Sequence, residues 1–210
     1  MTFLAAFRAV GAVVALTGVM SLFVVDHGGP GEFVYFTTQS NVLVACCFLW
    51  GALAAWLPAG PLPALRGAVT LYILVTFLIY HLVLANPASG FGVGSAQFGS
   101  IPNVLIHTLT PLLALLDWVL VPAGPPRWRW AAAWLAYPSA YLAFVLVRGA
   151  IVHRYPYPFL DVGDLGYGAL AIVVASLFVL FWLLGLLVVA IGRAASRVHA
   201  PTMQRSRAGG

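Results

Sequence analysis

The sequence predicts an all-α polytopic membrane protein: one bundle of six transmembrane helices with both termini cytoplasmic. Three observations carry this. Of 210 residues, 62% are hydrophobic and only 7% charged, and the mean hydropathy is +1.00. Apolar stretches recur at 6–25, 34–57, 66–85, 102–122, 130–151 and 166–192, each close to the about 20 residues that cross a bilayer core of roughly 30 Å. Lastly, all ten basic residues are arginines, and alternating the loops puts eight of them on one side, at positions 8, 66, 127, 129, 193, 197, 205 and 207. Arginine-rich loops stay in the cytoplasm, so that side is inside. The positive charge therefore reflects topology and anionic lipid headgroups, and no nucleic-acid partner is needed to explain it.

Each element follows from local chemistry. The first stretch continues to Val25 without a small-residue cleavage site beside Asp26-His27-Gly28-Gly29-Pro30, so it reads as a retained span. Connections at 26–33, 86–100 and 152–165 lie on the outer side. The second of these is rich in glycine and reads as a flexible lid. The inner connections, 58–65 and 122–126, are short and rich in proline and glycine. Trp128, Trp130 and Trp134 open the fifth span as interfacial anchors. Residues 193–210 form a basic tail expected to fray. Residues 1–192 make one domain, with no internal repeat of the kind that builds inverted-repeat transporters. Cys46 and Cys47 are adjacent and point about 100° apart on a helix, which rules out an ordinary disulfide between them.

Against this apolar background, Thr37, Asn41, His81, Asn103, His107 and Arg148 all fall near the outer ends of their spans. Polar groups that converge at one depth in hydrocarbon mark a functional site. Thr37 and Asn41, and likewise Asn103 and His107, are four residues apart and share helix faces, as do Tyr137, Tyr141 and Arg148. These stripes predict an outward-facing cavity lined by the second to fifth spans. The run Thr37-Thr38-Gln39-Ser40-Asn41 supplies a hydroxyl nucleophile with donors nearby, or else caps the start of a helix. His107 is a general base, or a packed histidine serving the carbonyl that Pro111 leaves free. His81 reads as a second acid/base, a metal ligand or an interfacial residue, and Arg148 as the partner of a carboxylate, Asp161 being the natural one, or of an anionic headgroup. The segment Tyr155-Pro156-Tyr157-Pro158-Phe159-Leu160-Asp161 cannot continue a helix, because each proline holds the residue before it extended. It caps the cavity or forms an aromatic belt. No zinc-type ligand spacing, P-loop or Gly-x-Ser-x-Gly turn is present, so neither a metal nor a cofactor is expected.

Several of these pieces together resemble a known family. Phe36-Thr37-Thr38-Gln39-Ser40-Asn41, then Asn103-Val104-Leu105-Ile106-His107-Thr108 with Pro111 and Asp117, then Arg148-Gly149 and Tyr157-Pro158-Phe159-Leu160-Asp161, look like the bacterial Pr6Pr family of six-span membrane proteins. That family is similar to the eukaryotic androgen-induced gene 1 family and to the androgen-dependent TFPI-regulating protein. The resemblance implies an intramembrane threonine hydrolase of fatty acyl esters in a bacterial plasma membrane, with membrane lipids as partners. It places the nucleophile on Thr37, with Thr38 as the adjacent alternative, and the histidine on His107. Asn41, Ser40 or Asn103 is then expected to stabilise the oxyanion. A transporter or channel, and a non-catalytic lipid- or partner-binding protein, are the other classes that such a cavity admits.

Overall fold

A computed structural model describes residues 3–24, 27–54, 56–57, 59–92 and 100–208, with side chains to residue 199. Asp26, Pro58, the centre of the glycine-rich loop at 93–99, and the side chains of Arg205 and Arg207 lie outside the described residues. Every regular element among the described residues is helical. Six helices are long and apolar enough to cross a membrane: α1 (Phe3–Val24), α2 (Phe36–Leu53), α3 (Pro63–Leu84), α4 (Ile101–Leu120), α5 (Arg129–Val152) and α6 (Val162–Ala208, kinked at Gly166, its span Val162–His199). The first five bounds match the sequence expectation to within a few residues. The sixth does not: α6 stays helical well past residue 192, and Arg193 there donates to the Pro126 carbonyl at 2.9 Å.

α1 and α2 pack closely because the buried face of α1 is small. Ala5, Arg8, Ala12, Ala15, Val19 and Leu22 recur at spacings of three and four residues, a seam that lets two backbones approach. Gly18 shows why the seam must be small: a methyl group there would come within 2.6 Å of Ile106 Cγ2 on α4. Phe48 of α2 fills the space over Gly11. The core behind this pair consists of Val44, Ala45, Phe48, Val69, Ile73 and Ala114.

Prolines punctuate the remaining spans, and neighbouring helices satisfy what they leave unbonded. Pro138 has no N–H to give to the carbonyl of Trp134 one turn back. α5 pauses there, between Ala133 and Ala136, and the Tyr72 hydroxyl donates to that carbonyl at 3.0 Å. Trp134 is thereby a core residue, with its indole N–H on the Ala64 carbonyl at 2.9 Å, whereas Trp128 stays exposed as an interfacial indole would. α3 and α4 each contain a π turn, at Tyr80–Leu84 and Leu105–Leu109. In α4, Thr110 N–H reaches back five residues to the Leu105 carbonyl. The next bond in that register would run from Pro111 to Ile106, and proline cannot make it. Asn41 on α2 fills the gap, its Nδ2 donating to the Ile106 carbonyl at 3.1 Å.

At the end of the bundle that holds the N-terminus, one carboxylate joins three helices. Asp117 on α4 accepts from Arg8 Nε at 2.7 Å and Nη2 at 3.3 Å, and from Arg66 Nη2 at 2.6 Å and Nε at 3.1 Å. Arg66 also donates to the carbonyls of Asp117 and Val121. All three residues are buried. The sequence placed Arg8 and Arg66 on one side of the bundle; the structure adds that both are internal ion-pair partners there. The chemistry compels the pairing, since an unpaired charge in so apolar an interior is costly. Gly51 on α2 leaves room for the Arg8 side chain.

Candidate functional site

The opposite end of the bundle holds the start of α2, the π turns of α3 and α4, and the loop between α5 and α6. Tyr35 begins α2 with no side-chain cap, so neither threonine nor Ser40 nor Asn41 caps the helix. The first intrahelical bond runs from Gln39 N to the Tyr35 carbonyl at 3.2 Å. The N–H groups of Phe36, Thr37 and Thr38 consequently have no carbonyl within the helix. Phe36 N–H donates to the Tyr141 hydroxyl at 3.1 Å, and that hydroxyl donates to the Val34 carbonyl at 3.0 Å.

Thr37 Oγ1 lies 3.5 Å from His107 Nε2, and both residues are buried. The π turns set this meeting. They place the Tyr80 ring on the His107 imidazole, stacked at 3.9 Å and 11°, which fixes the plane of the base. His107 Nδ1 faces back toward the Asn103 backbone and makes no hydrogen bond within ordinary limits. If Nδ1 carries the ring proton, Nε2 is free to accept one from Thr37.

Both residues open onto a cavity of about 80 Å³. Its walls are apolar: Val75, Ile79 and Leu84 from α3, Leu142 from α5, Leu177 and Phe181 from α6, and Phe159 and Leu160 from the loop. Thr37, His107, Thr76, Tyr80, Tyr141 and Tyr157 complete the lining. Leu142, Leu177 and Phe181 are only half-buried, so the wall that α5 and α6 contribute is partly exposed. The Tyr-Pro repeat shapes the far wall. Pro158 holds Tyr157 extended at φ −130 and ψ 138, and a short 3₁₀ turn follows at Pro158–Leu160. Tyr157 stacks on Phe159 at 5.1 Å, and its hydroxyl faces Thr37, Tyr141 and the first amides of α2. The loop therefore caps the cavity. Burial pushes the Tyr157 phenol above its usual range, so it stays protonated.

The other residues singled out in the sequence distribute themselves as follows. Thr38 is buried and does not line the cavity. Gln39 donates to the Phe33 carbonyl and accepts from Tyr137 at 2.6 Å. Ser40 is fully buried and its hydroxyl makes no hydrogen bond. Asn41 uses its amide N–H groups on the Thr37 and Ile106 carbonyls, which removes it as an oxyanion donor. Asn103 reaches back to Ser100. His81 is exposed, 3.1 Å from the Thr108 hydroxyl, and stands outside the cavity. Arg148 does not pair with Asp161; it donates to the Arg154 carbonyl, and Asp161 accepts from Gly163 N–H at 2.8 Å. Among the described residues, no three His, Cys, Asp or Glu side chains gather closely enough to hold a metal ion. Sequence reasoning missed Tyr141 as the group that anchors α2, and Tyr80 as the platform under His107. For Tyr141 the available signal was its place four residues from Tyr137, on the same face.

Fold and site thus define a six-helix, membrane-type protein with a buried threonine–histidine pair at one end of a mainly apolar cavity. No family model, curated protein or solved structure matches the chain.

Proposed function

We propose that this protein is a multi-pass membrane hydrolase of fatty acyl esters, with Thr37 as nucleophile and His107 as general base. The observation that carries the reading is the 3.5 Å approach of Thr37 Oγ1 to His107 Nε2 at the polar end of an otherwise apolar cavity. A nucleophile needs a base within reach, and such contacts are commonly long before substrate binds. The cavity offers an acyl chain an apolar seat whose half-buried side faces lipid. In the proposed topology both termini are cytoplasmic, in the plasma membrane of a bacterium, and the site faces outward. Six arginines outside the ion cluster on the terminal side, against Arg148 and Arg154 on the other, support that orientation.

Transport fits less well. Between the site and the Arg8–Asp117–Arg66 cluster the helices pack on Val44, Ala45, Phe48, Ile73 and Ala114, an apolar layer that a solute would have to cross. The test is covalent labelling of the purified protein by an alkyl fluorophosphonate probe, with the adduct mapped by mass spectrometry. The adduct is expected on Thr37 and absent from Thr37→Ala. Undiminished labelling of the Thr37→Ala, Thr38→Ala double variant would remove the proposed nucleophile.

A further inference from the structure

An acyl-transfer site needs a donor aimed at the developing oxyanion as well as a nucleophile and a base. Of the polar side chains around the cavity, Tyr80 lies face-on to the His107 ring as its platform, and most others are committed in turn. The Tyr141 hydroxyl is spent on the Val34 carbonyl and the Phe36 amide. Thr76 gives its hydroxyl to the Tyr72 carbonyl at 3.3 Å. Asn41 is committed to two carbonyls, and Ser40 does not line the cavity. Tyr157 is different. It is 8% exposed, it lines the cavity, and its oxygen faces the Thr37 hydroxyl and amide.

We propose that Tyr157 is a catalytic residue whose hydroxyl donates to the oxyanion formed when Thr37 attacks an ester carbonyl. The proposal rests on the hydrolase reading above. The Thr37 amide and hydroxyl at the start of α2 face the Tyr157 oxygen, and donation into that oxygen polarises its O–H, making it a stronger donor. In the first step Thr37 Oγ1 bonds to the carbonyl carbon while its proton passes to His107 Nε2. The carbonyl π pair moves to oxygen, which accepts from Tyr157 O–H. Collapse breaks the bond to the alcohol oxygen, which takes the proton from His107 and departs, leaving an acyl-threonine. Water then attacks with its proton going to His107, and the acid leaves as that proton returns to Thr37. Tyr157 keeps its own proton throughout.

The experiment uses the full chain purified in detergent micelles, with p-nitrophenyl octanoate as substrate. Tyr157→Phe keeps the ring stacked on Phe159, and kcat is expected to fall about 10²–10³-fold, the usual loss for one oxyanion donor, with KM unchanged. A second variant carries 3,5-difluorotyrosine at 157, which keeps ring and hydroxyl but ionises at lower pH. Its kcat is expected to fall away at lower pH than in the wild type, since a phenolate cannot donate. The ionisable neighbours, Tyr35, Tyr137, Tyr141 and His107, are the same in both proteins, so the difference reports Tyr157. Wild-type kcat in Tyr157→Phe, or superimposable pH profiles, would overturn the assignment and leave the hydrolase reading standing. A folded wild type with no hydrolysis would overturn both.

Discussion

Replacing Asp117 by alanine removes the single carboxylate that faces two guanidinium groups. In the native bundle its oxygens lie 2.7 Å from Arg8 Nε and 2.6 Å from Arg66 Nη2, and the three side chains are 6–9% exposed. The substitution leaves two buried cations confronting each other with no counter-charge. Removing one partner of a buried pair typically costs about 3–5 kcal/mol. Because both survivors here are arginines, the upper figure is the better guide. For a chain of this size each kcal/mol shifts the unfolding midpoint by roughly 2–4 °C, giving a loss of roughly 10–20 °C. Tryptophan fluorescence in detergent is a suitable assay, since Trp118 lies 5.9 Å from the Arg66 guanidinium. A triple variant, Arg8→Met, Arg66→Met, Asp117→Leu, should recover most of the stability, as apolar replacements of whole buried ion clusters do. A loss below about 1 kcal/mol in Asp117→Ala, the range of exposed pairs, would refute the reasoning by showing the cluster to be hydrated.

Other perturbations test the packing around the site. Asn41→Leu leaves the Ile106 carbonyl without a donor and should cost about 1–3 kcal/mol in thermal unfolding; no change would mean that the π turn of α4 does not depend on α2. Gly18→Val forces a branched side chain against Ile106 and should cost about 1–3 kcal/mol by the same assay. Tyr141→Phe removes the link from Val34 to the first amide of α2 and should lower stability by about 1 kcal/mol. For Tyr157 the folded phenol ionises above its unfolded value of about 10, so its contribution is complete below that pH and is lost as pH rises beyond it. Wild type should therefore lose stability above about pH 10 more steeply than Tyr157→Phe, and parallel curves would contradict the burial argument.

Span number and helical class were legible because hydrocarbon thickness and backbone satisfaction leave so few options. The meeting of Thr37 with His107 was partly legible, since both are polar residues at one depth in apolar helices. Their contact depends on something a sequence does not display: two π turns, whose register comes from which carbonyl each amide finds. Pro111 was visible, but its consequence needed Asn41, 65 residues away from the Ile106 carbonyl it serves. Arg8 and Arg66 were read only as markers of one side, without their ion partner. Local composition favours that reading, and their partner Asp117 is 109 and 51 residues distant. Asn41 misled in the opposite direction, because an amide on a polar stripe looks available until its donors are counted. The long final helix escaped notice because the arginine-bearing residues 193–210 read as a tail expected to fray. In the fold Gly192 lies directly against Trp118, where a side chain would not fit.

The most direct measurement of the central claim is hydrolysis of a fatty acyl ester by the purified protein, with Thr37→Ala and His107→Ala compared at equal folded yield. The account predicts turnover by the wild type and background rates in both variants. A folded wild type without activity, or full activity in Thr37→Ala, would contradict it.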